Sequence, residues 1–204
     1  YATFARRRAA THASILGATN RIRRQWMLQT TYRENRIVEE WLVRDNLALV
    51  EQLGFDPQAV AERQAAADAA RGRSLVAVLA PYHAEALVAP HAAPQSEATQ
   101  VAVGLLRAVW QEGNDAKARS QSDFRLGAWV PGGRFLYGPD QIAEFAAPIR
   151  AAFGSRARLM IEHIAEVPYL GEARDVAVRW SLAGWHEGEG RYGTPINDKI
   201  ISHS

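Results

Sequence analysis

The stretch Arg36-Ile37-Val38-Glu39-Glu40-Trp41-Leu42-Val43-Arg44-Asp45-Asn46-Leu47-Ala48-Leu49-Val50-Glu51-Gln52-Leu53-Gly54 changes character in its middle. Residues 37–43 are rich in β-branched and aromatic side chains and read as a strand. From Asp45-Asn46 the spacing turns helical, with Leu47, Val50 and Leu53 on one face and Gly54 as the stop. Upstream, Glu34-Asn35 is a turn signal. Residues 22–32 carry Trp26, Leu28 and Thr30 at alternate positions, so this run and the next form an expected hairpin. Residues 4–12, rich in Arg and Ala, read as a further strand before it.

Downstream, Asp56-Pro57 restarts a helix that runs through residues 61–70, with Asp56 as N-cap, Pro57 in the first turn and only a thin apolar face. Residues 81–94 hold Pro81, Pro90 and Pro94 and read as a linker or loosely packed arm. A new unit starts near Ser96. Glu97 lies just inside an amphipathic helix in which Val101, Leu105, Ala108 and Val109 share a face, ending near Gly113-Asn114. Residues 124–130 predict a short strand, and Pro131-Gly132-Gly133 a turn. Gly138-Pro139-Asp140 leads into a helix with Ile142, Phe145, Ile149 and Phe153 inward, stopped by Gly154. Two strands follow over 158–167 and 176–184. The first alternates Leu159, Ile161 and His163 against Met160, Glu162 and Ile164. The second alternates Val176, Val178, Trp180 and Leu182 against Ala177, Arg179 and Ser181. The expected class is α+β, with a bent antiparallel sheet around a few helices.

Composition narrows the function. The chain has 204 residues, enough for a full core, with 48% hydrophobic and 23% charged residues. Its formal charge is only +2, from 24 basic and 22 acidic residues, which argues against bulk nucleic-acid binding. Consecutive arginines such as Arg6-Arg7-Arg8 point to opposite faces of a strand, so they, like Arg21, Arg23 and Arg24, read as a solvated or carboxylate-paired surface. The absence of cysteine removes disulfides, thiolate nucleophiles and Cys-based metal sites, and fits a cytoplasmic protein. No run approaches the ~20 apolar residues of a membrane span, and Tyr1-Ala2-Thr3-Phe4 before the arginines lacks the order of a signal peptide. The chain opens without Met and closes on Ile200-Ile201-Ser202-His203-Ser204, so both ends are expected to continue in a longer protein.

Head and tail of the chain repeat one pattern. An Arg-containing strand runs into Ala10-Thr11-His12 and then Gly17-Ala18-Thr19-Asn20. Likewise Arg179-Trp180-Ser181-Leu182-Ala183 runs into Gly184-Trp185-His186 and then Gly193-Thr194-Pro195. The expected organisation is two partial tandem copies, the first over 1–54 and the second over 97–204, joined by a helical and Pro/Ala linker over 55–96.

On these residues the chain resembles the SnoaL-like polyketide cyclases of the nuclear-transport-factor-2-like superfamily. The run from Arg36 to Gly54 looks like the family's last strand and closing helix. The run Tyr137-Gly138-Pro139-Asp140-Gln141-Ile142 and the helix after it look like its second helix. Gly184-Trp185-His186 is similar to its Gly-Thr-His segment, and Ile201-Ser202-His203 to the strand before its Glu-x-Trp hairpin. The resemblance implies a cone-shaped fold, a curved antiparallel sheet wrapped around helices with a largely apolar pocket. It implies a small apolar carbonyl or polyketide-like ester as substrate or ligand, and ring closure without cofactor or metal. In such a pocket a carboxylate with a raised pKa moves the proton while a histidine steadies the enolate oxygen.

The candidate catalytic residues are Glu40 or Asp45 in the first copy and His186 and His203 in the second. Trp26, Trp41, Trp180, Trp185 and His12 are candidates for lining a pocket, although strand tryptophans are first of all core. The pattern departs from the family at Leu42, which follows Trp41 where cyclases carry their aspartate, and at Gln29, which stands near the family histidine. Asp45 also reads as a plain N-cap, and Glu39 as solvated. The loops between His12 and Gly17 and between Thr194 and His203 are shorter than the family uses. The six histidines show neither i, i+4 pairing nor HExxH, so no metal is expected. His163 reads as a hydrogen-bonded core or interface residue. Gly132-Gly133 lacks the strand and helix context of a phosphate loop. The alternative to a cyclase is a non-catalytic small-molecule-binding or dimerisation module, self-associating through its sheet face or as an intramolecular pseudo-dimer, with no nucleic-acid or membrane partner.

Overall fold

A computed structural model describes residues 2–12, 22–73, 92–155, 157–195 and 200–203. Residues 1, 13–21, 74–91 with His83 and His91, 156, 196–199 and 204 lie outside the described residues. Helices and small antiparallel sheets alternate along the chain, an α+β arrangement. Two units are distinguished: Tyr1–Leu75 with Trp129–Phe135, and Val76–Ala128 with Leu136–Ser204.

In the first unit, β1 (Ala2–His12), β2 (Ile22–Arg33) and β3 (Arg36–Arg44) form an antiparallel sheet in the order β1-β2-β3. Glu34 and Asn35 both take positive φ, 51° and 58°, the backbone of a two-residue turn whose twist matches the strands it joins. Asp45 then caps α1 (Asn46–Gln52), its Oδ1 accepting from the Ala48 amide at 2.9 Å. At the other end Gly54, at φ +77°, donates to the Glu51 carbonyl, the left-handed stop the sequence announces. Asp56 caps α2 (Pro57–Ala70), accepting from Gln58 and Ala59. No residue of α2 is buried, so that helix rests on capping, propensity and i, i+4 pairs such as Gln58–Glu62.

The second unit begins with α3 (Glu97–Arg107), where Ser96 and Thr99 form a capping box. It passes into a π-helical turn at Ala108–Glu112 and then α4 (Asp115–Ser120), capped by Asn114. The hairpin β4 (Gly127–Val130) and β5 (Arg134–Tyr137) has its tip in the first unit. The strand expected over 124–130 thus starts only at Gly127. A turn closed by the Leu126 amide on the Asp123 carbonyl takes its place, and Phe124 is 81% exposed. After α5 (Gly138–Phe153) come β6 (Arg158–Pro168), β7 (Arg174–Trp185) and β8 (Ile200–His203), antiparallel in the order β6-β7-β8. Ile142, Phe145, Ile149 and Phe153 of α5 are buried, as expected, with Leu159, Ile161 and Leu182 of the sheet.

The alternation expected along β6 fails at one place. The ladder pairs Ile161 with Trp180 but His163 with Arg179, so Glu162 is an inserted, bulged residue. Partners adjacent on β7 face opposite ways, which puts Ile161 and His163 on opposite faces rather than one.

Candidate functional site

The aromatic interior of the second unit is built where α3 changes pitch. Trp110 sits in the π turn, 8% exposed, its ring 5.0 Å from Trp180 of β7 and edge-on to Phe145 of α5 at 6.3 Å. A π turn widens the helix by one residue and leaves backbone groups to be satisfied from outside. Here the Arg150 guanidinium donates to the Val109 carbonyl, the Asn114 amide donates to Ala108, and Gly113 at φ +64° ends the turn. Gln111 accepts from the Leu159 amide at 2.9 Å, tying the turn to β6. The Arg191 guanidinium lies 5.0 Å over the Phe145 ring.

Just past β7, His186 is 3% exposed, and its Nε2 is buried without a hydrogen-bond partner. The Tyr192 ring stands edge-on to it at 6.4 Å and edge-on to Phe153 at 6.1 Å. Burial pushes the Tyr192 phenol above its ordinary value, opposed by the charge of Arg191.

Beyond the aromatic interior, the bulge aims Glu162 at its neighbours on β7. Its carboxylate accepts from Ser181 Oγ at 2.6 Å and from Arg179 Nε at 3.0 Å, a half-buried charge-assisted cluster. Glu166 accepts from Ser96 Oγ at 2.6 Å, joining β6 to the start of α3.

The expected site residues fall into three groups. Trp180 and His186 are brought into the interior of the second unit, and Trp185, half-buried, ends β7 opposite Ile200. His203 lies opposite Leu182 on the ladder, so its backbone is roughly 13 Å along the strand from His186 at ~3.3 Å per residue. His12, Trp26 and Trp41 are placed by register alone, opposite Ile22, Arg44 and Gln29.

The first-copy carboxylates do not form an acid/base site. Glu40 is exposed, beside an exposed Leu42, and lacks the apolar enclosure of a buried acid/base carboxylate. Asp45 is taken up by structure: besides capping α1, it accepts from the Gly132 amide at 3.2 Å and the Gly133 amide at 2.8 Å. Sequence reasoning missed Trp110, Arg191 and Tyr192. The only hint of the last two was the glycine spacing Gly188-Glu189-Gly190 ahead of them.

Among the described residues no group of three or more His, Asp or Glu side chains is placed to hold a metal ion, and no helix is long and apolar enough to cross a membrane. Compared with known proteins, the chain matches no family model, no curated protein and no solved structure.

Proposed function

We propose that the chain is a SnoaL-like binding protein of the cone-shaped nuclear-transport-factor-2-like fold, whose second copy takes a small apolar carbonyl or ester compound. The observation that carries this reading is the convergence of Trp110, Phe145 and Trp180 from a π turn, a helix and a strand. Flat aromatic faces held by three elements suit an apolar ring or chain better than a charged metabolite. The first copy, with Glu40 exposed and Asp45 committed as a cap, acts as a non-catalytic partner. Exposed Ile37, Val38, Leu42 and Val43 on β3 support self-association through that sheet. Cofactor-free ring closure in the second copy, with His186 or His203 steadying an enolate, is the enzymatic form of the same reading. A cytoplasmic setting belongs to the same reading, and the cysteine-free composition is compatible with it.

The test is titration of the full chain with prodan, an apolar naphthalene ketone whose emission shifts on leaving water. Saturable binding that is lost in Trp110→Ala and Trp180→Ala, with circular dichroism retained, is expected. Absence of binding by the wild-type chain refutes the reading.

A further inference from the structure

The near-neutral total charge conceals an uneven distribution. Residues 1–33, which supply β1 and β2, contain seven arginines and neither Asp nor Glu, against a formal charge of +2 for all 204 residues. The rest of the chain is therefore net acidic. A small total argues against binding over the whole surface, but not against one cationic arm.

Each strand alone scatters its arginines over two faces, but the register gathers them across strands. β1 and β2 pair without a slip from Ala2 opposite Tyr32 to His12 opposite Ile22, and residues opposite each other share a face. Arg6, Arg8 and Arg24 lie on one face. Arg44, which is exposed, joins them because it pairs with Trp26, the partner of Arg8. Arg7 and Arg23 lie on the other face. The ladder sets no carboxylate opposite these β1 and β2 arginines, whose partners there are Leu28, Met27, Trp26, Ala10 and Thr11. Asp45, next to Arg44 in the chain, is already committed to the Ala48, Gly132 and Gly133 amides. Moreover, β3 stops at Arg44 while β1 and β2 run on. The pairs from Ala9 with Gln25 to His12 with Ile22 form a two-stranded ribbon that reaches about 13 Å past Arg8, at ~3.3 Å per residue. Among the described residues no third strand pairs with it.

We propose that this ribbon is an arm for the major groove of duplex DNA, entering by the free edge of β1 so that its two faces meet the two phosphate rows. A strand layer with its side chains is about 10 Å thick, and the groove is about 12 Å wide. Arginine suits the task, because its planar fork of donors matches a phosphate. Cations on both faces favour a groove over a membrane, whose single plane meets only one face. The deep, narrow major groove of duplex RNA does not admit a ribbon. The arm belongs to the first unit and stands apart from ligand binding by the second.

The experiment follows the anisotropy of a short fluorescein-labelled DNA duplex titrated with the full chain. The single strand, an RNA duplex of the same sequence, and phosphatidylcholine vesicles with and without phosphatidylserine are run beside it. Duplex DNA is expected to bind, and six phosphate contacts would weaken that binding by about a thousandfold between about 50 and 200 mM salt. Arg23→Gln combined with Arg24→Gln should lower the log–log salt slope by about two. Arg71→Gln combined with Arg73→Gln changes the net charge equally at exposed positions after α2 and should leave the slope unchanged. In the wild type, the DNA duplex should slow amide exchange over 8–12 and 22–26 and leave the second unit as it was. Absence of binding to duplex DNA overturns the inference. So does tighter binding of the single strand or the RNA duplex, binding to phosphatidylserine vesicles in place of DNA, or equal loss in the two double variants. Where the ribbon variant does not fold, amide exchange decides: protection that misses the ribbon overturns the inference.

Discussion

Adding one methyl group at Gly188 puts the strap over residues 187–192 to a direct test. Its Glu187 and Gly188 amides donate to the Ala152 carbonyl of α5, and its Arg191 amide to that of Pro148. The new Cβ would overlap the Ala151 carbonyl oxygen and come within 3.0 Å of its carbon, both backbone atoms of a packed helix. The helix cannot yield cheaply, because Ala152 and Phe153 beside it are fully buried, so the strap must lift. Lifting breaks the three amide bonds from Glu187, Gly188 and Arg191, at about 1 kcal/mol each. The lower chain entropy of alanine in the unfolded state returns about 0.4–1 kcal/mol. The net expectation for Gly188→Ala is a loss of about 2 kcal/mol in urea unfolding followed by near-UV circular dichroism. Amide exchange at Glu187 and Arg191 should accelerate by about 30-fold, the same energy expressed as a population. Glu189→Ala, on the same strap but exposed, should stay within about 0.5 kcal/mol of wild type. A Gly188→Ala protein with unchanged unfolding and unchanged exchange at those amides refutes the docking of strap on helix.

Three further outcomes are expected. Asp45→Ala should destabilise the first unit by about 2–3 kcal/mol in urea unfolding, through the loss of a helix cap and of the charge-assisted bonds to Gly132 and Gly133, and Asp45→Asn should recover part of it. Trp110→Ala should cost about 3–5 kcal/mol, since the ring is buried against Trp180 and Phe145; a loss under 1 kcal/mol contradicts that packing. Burial raises the Tyr192 phenol, so the folded chain keeps that proton to higher pH than the unfolded chain does. Its contribution to stability is complete below about pH 10 and fades as pH climbs through the raised folded value. Tyr192→Phe should therefore flatten the alkaline limb of stability against pH, measured as urea midpoints from pH 8 upward.

Much of the local structure was legible because capping is local chemistry. Asp45, Asp56 and Ser96 announce their helices within three residues, and Gly54 and Gly154 end theirs for lack of a Cβ. The π turn was not legible. Its carbonyl at Val109 is satisfied by Arg150, 41 positions away, and a period reading over 97–113 sees only a helix. The bulge at Glu162 was hidden because Leu159, Met160 and Ile161 are all buried, so no apolar–polar contrast marks the slipped register. For the site, alternation names the strand face on which Glu40 lies but not what covers that face. The structure leaves it exposed. His186 was visible as the last residue of a matched segment; its unpaired nitrogen depends on how the chain folds back over α5.

One carboxylate answers to amides at positions 48, 132 and 133, and so the first unit borrows seven residues, 129–135, from far downstream. A fragment ending in the linker would carry Asp45 without the turn it grips. Dividing this polypeptide for expression at the apparent seam between its halves therefore removes a piece of the upstream half, and grafting that half onto another scaffold must bring Pro131-Gly132-Gly133 along.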